Sequence, residues 1–327
     1  MAHVPCDVTS GSIVILTMKH YRSLDDVHLQ DTWLTIGSFD GVHLGHQKII
    51  QDLTAGAHSV GAPAVVLTFY PHPAVLLGRR KGPIYLTDPE EKASLLEQFG
   101  VDAMITHPFT RQVANTPARD FMLQLKDHLG LNQLWVGYDF ALGHGRTGDV
   151  PALRRFGEEL GYTLDVITAV KYNGQVVSSS LIRSTLAEGN VEKAAQLLGR
   201  RYSILGKVVP GDGRGRTIGI PTANFEVWAE RILPRTGVYV CQAWVNGKPW
   251  GAVTNVGVRP TFENQPVLPR VEAHLLDFDQ NLYGQEIHLD FIARLRDEQR
   301  FPSVQALIEQ VHQDITRGRQ ILSNSES

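Results

Sequence analysis

At 327 residues the chain is long enough for two domains, and its 43% hydrophobic and 20% charged residues are ordinary for globular proteins. Its 31 Lys and Arg against 34 Asp and Glu leave a net charge of −3, too neutral for a protein that grips nucleic acid mainly through phosphates. The two cysteines, Cys6 and Cys241, are too few for a disulfide framework or a zinc-knuckle motif, so we expect a cytoplasmic protein. No apolar run approaches the ~18 residues of a membrane helix. We therefore expect neither a nucleic-acid nor a membrane partner.

The first half of the chain alternates strand-like apolar runs with amphipathic helical patterns. The predicted strands are 13–18, 34–37, 64–69, 103–106, 134–136 and 163–167. The predicted helices lie near 44–60, 88–99, 117–129 and 150–160. Asp88 is placed to cap the second of these helices, and Gly100 follows its end. This alternation predicts an α/β domain whose parallel sheet is covered by helices on both faces.

The second half changes to short strands after two short helical patterns at 181–188 and 191–198. Asn246-Gly247 predicts a hairpin between strands 238–245 and 251–256. Strands 271–276 and 286–293 predict a second pair across the turn at 279–284. We expect a small antiparallel β-barrel followed by a helix, which Ser303 caps. The predicted apolar stripe of that helix is Val304, Leu307, Ile308, Val311 and Ile315.

The loop from Gly37 to His46, between the predicted strand 34–37 and helix 44–60, has the features of a nucleotide site. Its glycines let backbone approach a ligand, and the helix start presents free N–H groups to phosphate. His43 and His46 are three residues apart and can share one face, where imidazoles donate hydrogen bonds to charge developing on an α-phosphate. A zinc site is the weaker alternative, because His72 would have to supply a third ligand.

A second candidate site follows the glycine-spaced segment 211–219, which can turn several N–H groups toward an anion. Next comes Pro-Thr-Ala-Asn, where the hydroxyl of Thr222 and the amide oxygen of Asn224 are hard ligands suited to Mg²⁺. Strand alternation over 271–276 places Glu272 and His274 on one face. A carboxylate there can accept the proton of a hydroxyl that attacks a γ-phosphate, although a solvated strand carboxylate is the ordinary alternative.

Together these motifs resemble the prokaryotic bifunctional riboflavin kinase/FAD synthetase family. The resemblance runs from about residue 13 to 320 and rests on the loop 37–46, the Pro-Thr-Ala-Asn segment and the stretches 68–73, 136–140, 178–183, 237–239, 255–262, 282–284 and 294–296. It implies a Rossmann-like nucleotidylyltransferase domain over 13–186. It also implies a riboflavin kinase barrel with its terminal helix over 187–322.

The implied reactions are ATP and riboflavin to FMN and ADP, then ATP and FMN to FAD and pyrophosphate, with Mg²⁺ as the cofactor. Flavin is then a substrate and product rather than a redox cofactor. One alternative that stays open is a chain with only one active site. Others are a flavin-binding regulator or nucleic-acid-binding protein without catalysis, and an aminoacyl-tRNA synthetase core, which would lack its lysine loop here.

The resemblance also implies a role for individual residues. The ATP contacts of the adenylyltransferase are expected at Gly37, Phe39, Asp40, Gly41, His43, Gly45, His46, Ser179 and Arg183. Its flavin contacts are expected at Phe69, Pro73, Asp139 and Phe140. In the kinase, ATP and Mg²⁺ are expected at Gly211, Gly213, Gly215, Thr222 and Asn224, the last two as metal ligands. Glu272 is the implied base, and Arg296 with Phe301 the implied flavin contacts.

Three positions depart from the family pattern. Ser38 stands where Asn is usual, Ser180 where Thr is usual, and Leu142 where a second Phe is usual. Ser180 keeps a hydroxyl. Leu142 lacks an aromatic face for stacking on a flat ring, and an aromatic pair contributes roughly 0.5–1.5 kcal/mol. We therefore expect weaker flavin binding but the same type of reaction.

Overall fold

The computed structural model describes residues 17–211, 213, 215, 219–258 and 269–325. Their contacts group into two compact units that are discontinuous in sequence. The first unit takes the described residues of 1–37, 50–70 and 93–166, and the second takes those of 38–49, 71–92 and 167–327. The predicted strand 13–18 lies mostly outside the described residues, and the domain boundary at 186/187 stays a prediction.

A six-stranded sheet, whose strand order differs from the chain order, forms the centre of the first unit. Its strands are β1 (Lys19–Tyr21), β2 (Trp33–Ile36), β3 (Ala64–Tyr70), β4 (Ala103–Pro108), β5 (Gln133–Gly137) and β8 (Thr163–Ile167), while β6 (Ala141–Leu142) and β7 (Gly148–Asp149) form a separate ribbon. The order across the sheet is β1-β4-β3-β2-β5-β8, and the pairs β1–β4, β3–β4, β2–β3 and β2–β5 are parallel. The predicted parallel sheet is confirmed.

Helices alternate with these strands along the chain. They are α1 (Leu44–Ser59), α2 (Pro73–Leu76), α3 (Pro89–Glu97), α4 (Arg111–Asn115), α5 (Ala118–Leu129) and α6 (Val150–Leu160). One apolar stripe of α5, including Phe121 and Leu125, is buried in the core of the first unit. Asp88 caps α3 as predicted, because its Oδ1 accepts a hydrogen bond from the Glu91 N–H at 2.7 Å.

The second unit contains a closed barrel of antiparallel strands. After the short pair β9 (Lys171–Tyr172) and β10 (Gln175–Val176) come the helices α7 (Ser179–Ala187) and α8 (Val191–Leu198). The barrel strands are β11 (Tyr202–Val209), β12 (Ala223–Val227), β13 (Gly237–Val245), β14 (Lys248–Val258), β15 (Pro269–Leu275) and β16 (Glu286–Arg296). Their order is β11-β12-β15-β14-β13-β16, which confirms the predicted barrel.

One of the two predicted hairpins is correct and the other is wrong. Asn246 and Gly247 adopt φ of 51° and 73° between β13 and β14, as a tight primed turn requires. The predicted pairing of 271–276 with 286–293 is wrong, because β15 pairs with β12 and β14 whereas β16 pairs with β11 and β13. Both sides of β15 are already occupied, so β16 instead closes the barrel between its first strand and β13.

The final helix, α9 (Val304–Ser325), packs on the outside of the barrel. Ser303 caps it as predicted, accepting a hydrogen bond from the Ala306 N–H at 3.1 Å. The later turns make the apolar contacts: Ile315, Ile321 and Leu322 pack with a barrel cluster that includes Val240 and Val253. Val304, at the start of the helix, is 61% exposed, so its predicted place on the packed stripe is wrong. No helix in the described part of the chain is long and apolar enough to cross a membrane.

Candidate active sites

The loop between β2 and α1 has an unusual backbone. Phe39 and Val42 have φ of 44° and 38°, a region that costs non-glycine residues free energy, and most of all a β-branched one. Both side chains are buried, so packing holds the strained conformation. Gly41 has φ of 83°, and a Cβ there would lie 2.9 Å from Cδ1 of Leu86. The loop therefore requires glycine at this position and tolerates little relaxation.

The carboxylate of Asp40 connects the loop to three other residues. Its Oδ1 accepts hydrogen bonds from the N–H groups of Leu86 and Thr87 at 2.9 and 3.2 Å, and its Oδ2 pairs with the guanidinium of Arg183. The Ser179 hydroxyl donates to the Asp40 carbonyl at 2.9 Å. The Asp40 side chain is only 1% exposed, so these partners replace the water that its charge loses. The structure thus brings three predicted site residues into one network.

The two histidines of the loop share a face, as predicted. Their rings stack with centroids 3.6 Å apart, and the His46 N–H donates to Nδ1 of His43 at 3.3 Å. Because Nδ1 of His43 is an acceptor, the proton of its neutral ring is on Nε2. Within the described residues, Nδ1 of His46 is buried with no hydrogen-bond partner. A Cβ on Gly45 would lie 3.1 Å from Cε1 of His43, so a larger residue would press on that ring.

Burial keeps these imidazoles neutral. It lowers the pKa of His43 to about 4, and the positive charges of Arg183 and Arg200 act in the same direction. Burial likewise lowers the pKa of His72 to about 4 and the pKa of His46 well below its ordinary value. At neutral pH the rings therefore act as N–H donors and not as cations.

Sequence reasoning missed two residues that support the loop. The buried ammonium of Lys92 donates to the Ser38 carbonyl at 2.7 Å, and burial lowers the pKa of this lysine. The Thr87 hydroxyl accepts a hydrogen bond from the Gly41 N–H at 3.1 Å. One signal was available for Lys92: it lies four residues before Leu96 on the apolar stripe of α3, an unusual position for a lysine.

The predicted flavin contacts Phe69, Asp139 and Phe140 belong to the first unit, whereas Pro73 begins α2 in the second unit. Phe69 lies in β3, and Asp139 and Phe140 follow β5, on either side of β2. The carboxyl ends of adjacent parallel strands meet at one edge, which is where ligands bind to open α/β sheets.

The surroundings of the first-unit residues differ. Phe69 packs edge-to-face on Phe109 with centroids 5.3 Å apart, while Asp139 is exposed. Leu142 is buried in the core of this unit.

Metal-binding side chains do not cluster in the described part of the chain. No three His, Cys, Asp or Glu residues there are arranged to hold a metal ion. The zinc alternative for His43 and His46 therefore finds no third ligand among those residues. His72 instead caps α2, its Nδ1 accepting a hydrogen bond from the Ala74 N–H at 3.0 Å.

Three polar residues form a row across the barrel strands β12, β15 and β14. Glu272 is in register with Asn224 on one side and with Asn255 on the other, so the three side chains lie on the same face. Glu272 forms an ion pair with Arg270, whose Nη2 also donates to Oδ1 of Asn224 at 3.0 Å. Val271, Ala273 and Leu275 are buried on the opposite face, which confirms the predicted alternation.

This row opens into a cavity of about 410 Å³ in the second unit. The cavity wall contains most of the residues predicted for the kinase: Gly213, Gly215, Thr222, Asn224, Glu272, Arg296 and Phe301. Gly211 is not in the wall; a Cβ there would lie 2.1 Å from Nδ2 of Asn224, so it packs directly against that side chain. Arg296 pairs with Asp314 through Nη2 at 2.7 Å, and its Cζ lies 5.8 Å from the ring centroid of Phe301.

A second cavity of about 640 Å³ shares Thr222 with the first. Its apolar wall comes mainly from β11, β15 and the connection to β16: Val208, Leu275, Phe278, Leu282 and Tyr283. Sequence reasoning treated that connection as a hairpin turn and missed the cavity. It also missed Arg270, although this residue lies two positions before Glu272 and therefore on the same face of β15.

Comparison with protein families assigns both halves of the chain. The FAD synthetase family matches residues 25–181, and the riboflavin kinase family matches residues 198–322. Bifunctional riboflavin kinase/FMN adenylyltransferases are among the similar proteins. The one from Bacillus subtilis is 37% identical over 89% of this chain and 92% of its own length. The one from Escherichia coli is 38% identical over 88% of this chain and 91% of its own length.

A solved structure has the same overall fold. It is titled a macrolide-efflux protein from Streptococcus pneumoniae, is 28% identical in sequence, and covers 93% of this chain and 99% of its own. The TM-score is 0.84.

We expect His43 to make unfolding depend on pH. Its folded pKa of about 4 lies below its ordinary 6.5, so the unfolded chain binds more protons and stability is lost as pH falls from 6.5 toward 4. His43→Asn keeps an acceptor for the His46 N–H but does not titrate. Between pH 7 and pH 5 the wild type should lose about 2 kcal/mol more unfolding free energy than this variant, measured by urea titration. Equal losses in the two proteins would contradict the assignment of a neutral His43.

Proposed function

Because the chain belongs to the bifunctional riboflavin kinase/FMN adenylyltransferases, we propose a role for each of its two sites in the two reactions. The protein transfers the γ-phosphoryl group of ATP to riboflavin and gives FMN. It also transfers the adenylyl group of a second ATP to FMN, which gives FAD and pyrophosphate. Both reactions are phosphorus transfers, in which an enzyme mainly positions reactants and stabilises charge.

We assign adenylyl transfer to the loop 37–46. The observation that carries this assignment is the pair of buried, neutral imidazoles at the start of α1, one of which has a nitrogen without a partner among the described residues. Nε2–H of His43 is a donor for charge that develops on the α-phosphate, and the helix start adds N–H groups and its positive dipole end. Donors fixed before the reaction need no reorganisation during it.

Arg183 is the further candidate for charge stabilisation in this site. Its guanidinium is bonded to Asp40 and, through Nε, to the Ile84 carbonyl at 2.6 Å. Contact with the departing pyrophosphate would compete with these bonds, so ATP binding is expected to shift Arg183. Phe69, Pro73, Asp139 and Phe140 stay the predicted contacts of the FMN that receives the adenylyl group.

We assign phosphorylation of riboflavin to the barrel. The observation that carries this assignment is the row Asn224–Glu272–Asn255, set in one cavity that meets another at Thr222. The apolar wall with Phe278 and Leu282 suits a flat adenine. The flavin then occupies the cavity with Arg296 and Phe301, and its terminal hydroxyl faces Glu272, which accepts the proton as the γ-phosphate is attacked.

The donor chemistry at Thr222 and Asn224 fits Mg²⁺. A hydroxyl and an amide oxygen are hard ligands, and Mg²⁺ completes its shell with phosphate oxygens and water rather than with a protein cage. A Cβ on Gly215 would lie 3.3 Å from Oγ1 of Thr222 and 2.3 Å from the Ile220 carbonyl, so the loop leaves space beside this hydroxyl only because residue 215 is glycine. Bound there, Mg²⁺ would neutralise part of the phosphate charge.

The near-neutral net charge of −3 favours small-molecule substrates over nucleic acid as the partners of this chain. Its cysteine content, Cys6 and Cys241, is consistent with a reduced cytoplasmic setting.

We predict that His46→Ala and His43→Ala each lower FAD formation from supplied FMN by about 10²–10³, because one preorganised donor at the reacting phosphate contributes this much. FMN formation from riboflavin should stay near the wild-type rate. Both rates are measured by chromatographic separation of the flavins. A parallel loss of both reactions in folded protein would mean that the two reactions do not have separate sites.

We predict that Glu272→Gln lowers FMN formation by about 10²–10⁴, the usual range for general-base assistance. Glutamine keeps the size of the side chain and one acceptor oxygen, but its amide cannot take a proton at neutral pH. Calorimetric titration should therefore show ATP and riboflavin binding close to wild type, and FAD formation from supplied FMN should persist.

Two results would count against Glu272 as the base. Kinase turnover at the wild-type rate in Glu272→Gln would show that Glu272 is an ordinary strand carboxylate. Loss of riboflavin binding would point to a structural role. Glu226→Gln, at an exposed carboxylate of β12 outside the walls of both cavities, serves as the matched control and should retain kinase turnover.

A further inference from the structure

The segment 84–92 forms hydrogen bonds with several residues of the loop 37–46. Its residues Leu86 and Thr87 bind the Asp40 carboxylate, and Thr87 also accepts the Gly41 N–H. At its end Lys92 donates to the Ser38 carbonyl at 2.7 Å. A displacement of this segment would therefore change the strained loop that presents His43 and His46.

The same segment is bonded to residues that follow β12. The N–H groups of Ile84 and Tyr85 donate to the Glu230 carbonyl at 3.0 and 3.1 Å, and the Ile232 N–H donates to the Tyr85 carbonyl at 2.9 Å. Tyr85 and Arg231 form an isolated parallel bridge. These partners lie within residues 198–322, the part of the chain that matches riboflavin kinase.

Arg231 is the charged anchor of this contact. Only 4% of it is exposed, and its guanidinium forms an ion pair with Glu91. Its Nε donates to the Tyr202 hydroxyl at 3.1 Å, its Nη2 donates to the Ser203 carbonyl, and its Cζ lies 5.2 Å from the Tyr202 ring centroid. A buried guanidinium with this many partners has one geometry, so it fixes the carboxylate that it binds.

Glu91 and Lys92 are neighbours in the first turn of α3. We propose that Arg231, although it belongs to the kinase part of the sequence, is a positioning residue for FMN adenylylation. Through Glu91 it fixes the first turn of α3, and Lys92 in that turn holds the Ser38 carbonyl of the loop. The inference rests on the proposed role of that loop in adenylyl transfer.

The proposal separates the two reactions. Neither Arg231 nor Glu91 is in the wall of either barrel cavity. Replacing either residue therefore leaves the kinase residues in place. A displaced loop must be reordered by the incoming nucleotide. The KM for ATP in FMN adenylylation should then rise, while kcat at saturating ATP changes less because the imidazole donors are still present.

The test uses the full chain and four variants. Arg231→Met removes the guanidinium. Arg231→Lys keeps a positive charge for Glu91 but lacks the planar set of N–H donors. In the double variant Glu91→Gln with Arg231→Met, no partly buried carboxylate is left without its partner. Arg319→Met is the matched control, since Arg319 forms an exposed ion pair with Asp277 in the same unit at 2.7 Å.

We expect Arg231→Met to raise the KM for ATP in FMN adenylylation by about tenfold to a hundredfold, the scale of effect that a remote misplacement can have. The double variant should recover thermal stability but keep the raised KM. In Arg231→Lys the KM for ATP should lie between the values of the wild type and Arg231→Met. Kinase KM and kcat should stay within about twofold of wild type in every variant, and Arg319→Met should change neither reaction.

Two results would overturn the proposal. One is an unchanged KM for ATP in FMN adenylylation in the double variant, which is expected to fold even where Arg231→Met does not. The other is an equal loss of both reactions in the double variant. His46→Ala, assayed in parallel, separates this from a failure of the proposed function: normal FAD formation in His46→Ala refutes the role of the loop itself.

Discussion

The loop 37–46, to which we assign adenylyl transfer, depends on one buried carboxylate. Asp40 is 1% exposed at its side chain, and a charge in that position is stable only if its partners are fixed. Two backbone N–H groups and Arg183 provide those partners, and each charge-assisted hydrogen bond contributes about 1.5–3 kcal/mol. The positive φ of Phe39 and Val42 costs about 1–3 kcal/mol per residue, and hydrogen bonds of this strength, together with the burial of both side chains, can offset that cost. The position of the two histidines follows from that balance.

The two sites solve different chemical problems, and their side chains differ accordingly. In FMN adenylylation the attacking oxygen belongs to a phosphate that is already anionic, so no base is required and stabilisation of charge at the α-phosphate is sufficient. In the proposed mechanism, the neutral imidazoles of His43 and His46 and the helix N–H groups provide that stabilisation. In riboflavin phosphorylation the attacking group is a hydroxyl that must lose a proton. We propose that Glu272, which lies between the amide side chains of Asn224 and Asn255 in the barrel, accepts that proton.

Features encoded by neighbouring residues could be predicted from the sequence. The caps at Asp88 and Ser303, the Asn246-Gly247 hairpin and the face shared by His43 and His46 all depend on residues within a few positions of one another. The pairing of β15 with β16 was predicted wrongly because closure of the barrel, and not the local turn signal, decides which edges remain for β16. Lys92 and Arg231 were not found because their partners, Ser38 and Glu91, lie 54 and 140 residues away in sequence.

The proposed roles require that each of the two sites can work without the other. The most direct test mixes two inactivated proteins, His46→Ala and Glu272→Gln, with riboflavin, ATP and Mg²⁺, and follows the flavins by chromatography. The first protein retains the kinase site and releases FMN, and the second retains the adenylyltransferase site. We expect the mixture to form FAD from riboflavin much faster than either protein alone. A mixture that forms no more FAD than the two separate proteins together would show that the two sites do not work independently.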